Sequence, residues 1–70
     1  MKLNSQQLVE LYAYQDHLMK IYPSLRKGQA LFEAISEKYP ELAKELVATD
    51  NDPFYDDGKI EECIKYICGI

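Results

Sequence analysis

The chain has 70 residues, 47% of them hydrophobic, and its 12 acidic residues outweigh 8 basic ones for a net charge of −4. That composition excludes a disordered chain, and the acidic balance argues against a nucleic-acid binder built on a basic face. Two cysteines and one histidine cannot furnish a four-ligand zinc site, and no apolar run reaches the roughly 18–20 residues that span a bilayer. No signal-peptide core follows the N-terminus, so a cytoplasmic location is expected.

In chain order, Leu8, Leu11, Tyr12, Leu18, Met19 and Tyr22 recur at steps of three, four and seven, the stripe of an amphipathic helix. Asn4 or Ser5 is suited to cap it, and Gln7 stands three residues after Asn4, as in a capping box. Pro23 disfavours helical backbone at the residue before it, which predicts a helix over 5–22. Ser24 reads as the cap of a second helix over 25–38, with Leu25, Gly28, Leu31, Phe32 and Ile35 along one side. Glycine there costs about 1 kcal/mol relative to alanine, so its place on the apolar face predicts close approach of another helix or of a ligand. Pro40 fits the first position of a short third helix, Glu41 suits the positive end of its dipole, and Leu42, Ala43, Leu46 and Val47 form its apolar side.

Residues 48–57 break the helical pattern. Turn-forming residues surround the adjacent aromatics Phe54 and Tyr55, which predicts a loop that folds its side chains inward. Asp56 or Asp57 then caps a last helix near 58–68, striped by Ile60, Cys63, Ile64 and Ile67. The expected fold is all-α: one helical domain over 1–70, a compact bundle of three longer helices and a short one, with an aromatic-acidic loop before the last. Charge divides unevenly. Residues 1–38 hold five basic and four acidic groups, whereas 39–70 hold three and eight. The acidic half reads as a solvated face or as a contact surface for a basic partner.

Candidate chemistry is sparse. An EF-hand register from Asp50 puts Phe54 at position 5 and Tyr55 where glycine is required, and a register from Asp52 ends on Cys63 rather than Glu. No metal or other cofactor is expected. Asp56 and Asp57 are sequence neighbours ahead of a helix, a capping arrangement more than an acid–base pair. His17 sits at the edge of the first stripe with no nucleophile to serve. Cys63 and Cys68 point about 140° apart on one helix and cannot bond each other without unwinding it. These patterns point away from an enzyme.

Arg26 and Lys27 place two cations in the first turn of a helix, against its dipole, so an anion must compensate. One reading supplies it from the loop, with Asp56 or Asp57 folding back on Arg26. The other supplies a bound anion or phosphate, held by Arg26 and the helix N-terminus. Tyr22, Tyr39 and Tyr55 read as braces at the helix joints, and Tyr14 and Tyr66 as interface residues.

The string Arg26-Lys27-Gly28-Gln29-Ala30-Leu31-Phe32-Glu33-Ala34, then Pro40-Glu41-Leu42-Ala43, then Asp52-Pro53-Phe54-Tyr55-Asp56-Asp57 with Lys59-Ile60, resembles a group of small proteins of tailed bacteriophages and prophages. The resemblance covers about residues 24–67, while the first helix is more individual. It implies a phage accessory protein, of a kind whose members bind and redirect host proteins or blunt host defence. Beside it, a clasp is expected in which Arg26 meets the aspartates and Phe54 packs over Gly28. The same residues could instead form a recognition surface.

The expected function is therefore non-enzymatic binding of a host protein. The alternative is a small oligomeric module that sequesters an anionic metabolite or nucleotide signal. The candidate binding residues are Arg26, Lys27, Gln29, Asp52, Phe54, Tyr55, Asp56 and Asp57. A core this small offsets chain entropy only narrowly, which favours a homo-oligomer burying the first helix. Neither nucleic acid nor membrane is an expected partner.

Overall fold

The computed structural model describes residues 2–70, so residue 1 of the expected 1–70 domain lies outside the described residues. The first helix, α1 (Ser5–Ile21), opens with the full capping box. Asn4 Oδ1 accepts from the Gln7 N–H at 2.8 Å and the Gln7 side-chain oxygen accepts from the Asn4 N–H at 2.9 Å. Two of the otherwise unpaired donors are thereby satisfied. The helix ends at Ile21, with Tyr22 as its C-cap ahead of Pro23.

The second helix, α2 (Lys27–Lys38), starts two residues later than the periodicity predicts. Leu25 stays outside it, and Ser24 does not cap it: the N-cap is Arg26, which makes no side-chain cap hydrogen bond. The cap arrives from elsewhere in the chain, as described below. Tyr39 alone joins α2 to the short α3 (Pro40–Leu46), which carries Pro40 at its start and Glu41 in its first turn. A 3₁₀ turn (Asp57–Lys59) leads into α4 (Ile60–Cys68), which Gly69 closes at φ 76° in the left-handed region that glycine tolerates. The all-α expectation holds, with three longer helices and a short one among the described residues.

The central element is α2, which packs against α1, α3, α4 and the 3₁₀ turn. It places Ala30, Leu31, Ala34 and Ile35 in the core, met by Leu11 from α1, Leu42 and Leu46 from α3, and Cys63 and Ile67 from α4. Leu3 joins them from outside any helix: it is buried, and its N–H donates to the Ile67 carbonyl at 2.7 Å. The helical stripes do not include Leu3. Its signal is the hydrophobic staple, an apolar residue just before the N-cap paired with one four positions into the helix, here Leu8.

The α1 stripe is broader than the face it buries. Leu11 is its one fully buried residue, Leu8 and Leu18 are half-buried against the core, and Tyr12 and Tyr22 face solvent. Tyr14 and Tyr66 each make contacts within the fold. Lys38 Nζ lies 5.1 Å from the Tyr14 ring centroid and Lys2 Nζ 4.6 Å from that of Tyr66. The Tyr66 hydroxyl donates to Glu45 Oε1 at 2.7 Å, which bridges α4 to α3 and raises the Tyr66 pKa. Cys63 is buried, Cys68 is half-buried, and both are free thiols. Among the described residues, no helix is long and apolar enough to cross a membrane.

Candidate functional site

The fold brings the start of α2 against the loop that precedes the 3₁₀ turn. Asp57 Oδ1 accepts the Gly28 N–H at 2.9 Å and lies 3.6 Å from Arg26 Nε. A carboxylate from 29 residues away thus does the capping that Ser24 was expected to do, and it is also the anion that offsets Arg26 at the positive helix end. A second Arg26 nitrogen donates to the Phe54 carbonyl. The exposed ion pair contributes little by itself, about 0.2–1 kcal/mol. More comes from closing backbone donors and acceptors that would otherwise lie unmet at a helix end.

Gly28 is the contact point. A Cβ there would collide with the Pro53 carbonyl oxygen and stand 2.8 Å from Asp57 Oδ1. The predicted close approach at this glycine is therefore real, but its partner is loop backbone rather than a helix or the Phe54 ring. Phe54 packs edge-on against Phe32 at 5.6 Å and against Tyr55 at 4.7 Å between ring centroids.

The loop is held largely by its own aspartates. Asp52 accepts from the Ala48 and Phe54 N–H groups, both at 2.9 Å. Asp56 accepts from the Gly58 N–H at 2.8 Å and caps the 3₁₀ turn, so it does not reach Arg26. The Pro53 carbonyl accepts the Asp56 N–H at 3.2 Å, and Pro53 itself is buried. The bonds of Asp52 to the Phe54 N–H and of Asp56 to the Gly58 N–H are the Asx turns that short acidic side chains form with backbone two residues on. The loop folds inward only in part. Tyr55 stands 84% exposed and braces no helix joint.

The remaining candidates lie apart from this clasp. Lys27 is exposed, and its carbonyl accepts from the Gln15 amide at 3.0 Å. Gln29 lies on a groove of about 340 Å³ shared with Leu18, Tyr22, Leu25 and Glu33. A second groove, of about 320 Å³, runs between α2 and α3 and is lined by Phe32, Ser36, Pro40, Ala43, Lys44 and Val47. It was missed in the sequence. Phe32 reads there as core, although its ring bridges the groove to Phe54, and Val47 reads as the inner side of α3, although it is 56% exposed. Val47 stands one residue past the end of α3, as its C-cap, so the helix does not turn it towards the core.

Within the clasp and loop the aspartate carboxylates cap backbone N–H groups. Burial first, then the nearby charges of Asp52 and Cys68, push the Cys63 thiol up to about 12, so it stays protonated and unreactive near neutral pH. Among the described residues, no group of three or more His, Cys, Asp and Glu side chains could hold a metal ion. No protein-family model, curated protein or solved structure matches the chain.

Proposed function

We propose that this is a non-enzymatic, phage-type accessory protein that works in the host cytoplasm by docking onto a host protein, in the manner of host-takeover or anti-defence factors. The observation that supports this reading is the exposed Tyr55 on a loop whose backbone is pinned by hydrogen bonds. An aromatic held rigidly in water costs little further entropy when a partner covers it, as anchor residues at protein interfaces do.

The sequestering alternative asks for an open anion site at the start of α2. The Gly28 N–H and Arg26 already share the Asp57 carboxylate, which a small anion would have to displace. The groove beside Gln29 carries Glu33, which repels anions.

Affinity purification from an expressing bacterial host tests the two readings together, with mass spectrometry of captured polypeptides and of small molecules released by heat. The expected result is a specific polypeptide that the Tyr55→Ala variant loses while its circular dichroism is unchanged. A stoichiometric anion that Lys27→Ala or Gln29→Ala loses would overturn it in favour of sequestration.

A further inference from the structure

Asp57–Gly58 is the chain's one Asp–Gly step, and no Asn–Gly step occurs. At such a step no side chain hinders attack of the glycine nitrogen on the aspartate carboxyl carbon. The N–Cγ bond forms, the amide proton and the carboxyl OH leave as one water, and a five-membered succinimide results. Water then adds at either imide carbonyl. Opening the bond from nitrogen to Cγ returns aspartate. Opening the bond from nitrogen to the main-chain carbonyl carbon leaves isoaspartate, whose backbone runs through Cβ and Cγ. One water leaves and one returns, so no co-reactant is needed.

In this fold both reacting groups are occupied. The Gly58 N–H donates to Asp56 Oδ1 at 2.8 Å, which sets a negative charge beside a nitrogen that must lose its proton. Asp57 Oδ1 accepts the Gly28 N–H at 2.9 Å and stands 3.6 Å from Arg26 Nε, so the carboxylate is tied to α2. The backbone opposes the ring as well. Asp57 begins the 3₁₀ turn, where ψ is about −20 to −30°. Ring closure needs ψ turned by roughly a right angle, so that Cβ eclipses the Gly58 nitrogen.

Reaction therefore waits on release of α2 and opening of the turn. Both residues are exposed, so that opening need not breach the core, and local openings of this kind cost less than global unfolding. The product cannot close again in the same way. In isoaspartate the free carboxylate sits directly on Cα and the main chain is one carbon longer, so the placement that lets Asp57 meet the Gly28 N–H is lost.

We propose that Asp57–Gly58 is a covalent modification site, at which opening of the clasp allows aspartate to isomerise to isoaspartate and isomerisation then holds the clasp open. Nothing in this depends on what Tyr55 contacts.

The full chain is incubated in neutral buffer, natively and in urea. Peptide mass spectrometry with electron-transfer fragmentation, which tells isoaspartate from aspartate, then reads residue 57. Isoaspartate is expected to accumulate in urea and to form at least about ten-fold more slowly in the native chain. Arg26→Ala and Gly28→Ala, each checked for helicity by circular dichroism, are expected to narrow that gap. Leu3→Ala, which loosens the core and takes no part in the clasp, is expected to leave it unchanged. The isomerised chain, separated by reversed-phase chromatography and refolded, is expected to show a urea midpoint as low as that of Asp57→Ala. Equal native and urea rates, no isoaspartate at residue 57 in either, or no acceleration in the clasp variants would overturn the proposal. So would equal acceleration by Leu3→Ala, which would make global unfolding the gate, or a wild-type midpoint in the isomerised chain.

Discussion

At Gly28 two effects of opposite sign meet. Alanine is favoured over glycine by up to about 1 kcal/mol within a helix, less at the second residue where Gly28 stands, yet its Cβ would collide with the Pro53 carbonyl and crowd Asp57 Oδ1. Overpacking against backbone costs about 1–3 kcal/mol, and a displaced Asp57 forfeits a helix cap worth about 1 kcal/mol more. The clash wins: Gly28→Ala is expected to lower stability by about 2 kcal/mol, roughly 10 °C in Tm for a domain of this size. Asp57 separates cap from ion pair. In Asp57→Asn the amide oxygen still accepts the Gly28 N–H and only the exposed pair with Arg26 is lost, so urea denaturation should show a loss below about 1 kcal/mol. Asp57→Ala removes both and is expected to cost about 1–2 kcal/mol. Equal losses in the two variants would mean that charge, not capping, holds the clasp. Arg26, Gly28 and the aspartates stand out in the sequence, but which aspartate reaches Arg26 does not. Asp56 and Asp57 differ only in which way the turn points them, and the 3₁₀ geometry decides that.

Among the elements, the junction after α3 carries a local cost. Ala48 sits at φ 62°, the left-handed region where a Cβ crowds the following carbonyl. Its N–H donates to Asp52 Oδ2, so the turn that strains the residue also starts the loop that presents Tyr55. Ala48→Gly relieves about 1–2 kcal/mol of backbone strain and gives back about 0.4–1 kcal/mol in unfolded-chain entropy. A net gain of roughly 0.5–1 kcal/mol is expected, read as a higher thermal midpoint; an unchanged or lower midpoint would show that the turn needs a side chain there. Helix existence and order were legible, because periodicity, the Asn4–Gln7 box and the three prolines all act within a few residues. The start of α2 was not. Ser24 has the chemistry of a cap, but the Asp57 carboxylate, 29 residues beyond Gly28, occupies the site.

For the molecule as a whole, two ends of the chain close the core. Leu3 is buried and hydrogen-bonded to Ile67, so Leu3→Ala should cost about 2–4 kcal/mol, large for so small a domain, and measurable by chemical denaturation. Alkaline pH probes the same core. Cys63 rises from its ordinary 9.0 to about 12 on folding, so above pH 9 the unfolded chain releases this proton before the folded one does. Stability from this group is therefore intact below pH 9 and falls as pH rises towards 12. The raised pKa of Tyr66 acts in the same direction. The urea midpoint of the wild type should drop over that range, and that of Cys63→Ala should drop less. In the native state, iodoacetamide should label Cys68 well before Cys63.

The sequence by itself determined the all-α class, the helix order, the divided charge and the presence of a basic–acidic motif around a glycine. All of these follow from residue type and short spacing. Tertiary structure decided what long-range contact controls: that Asp57 caps α2, that Pro53 rather than Phe54 covers Gly28, and that Tyr55 and Val47 face outward. An aromatic between aspartates satisfies local rules equally well turned in or out. The space beside α2 is limited, and Pro53 fills it first.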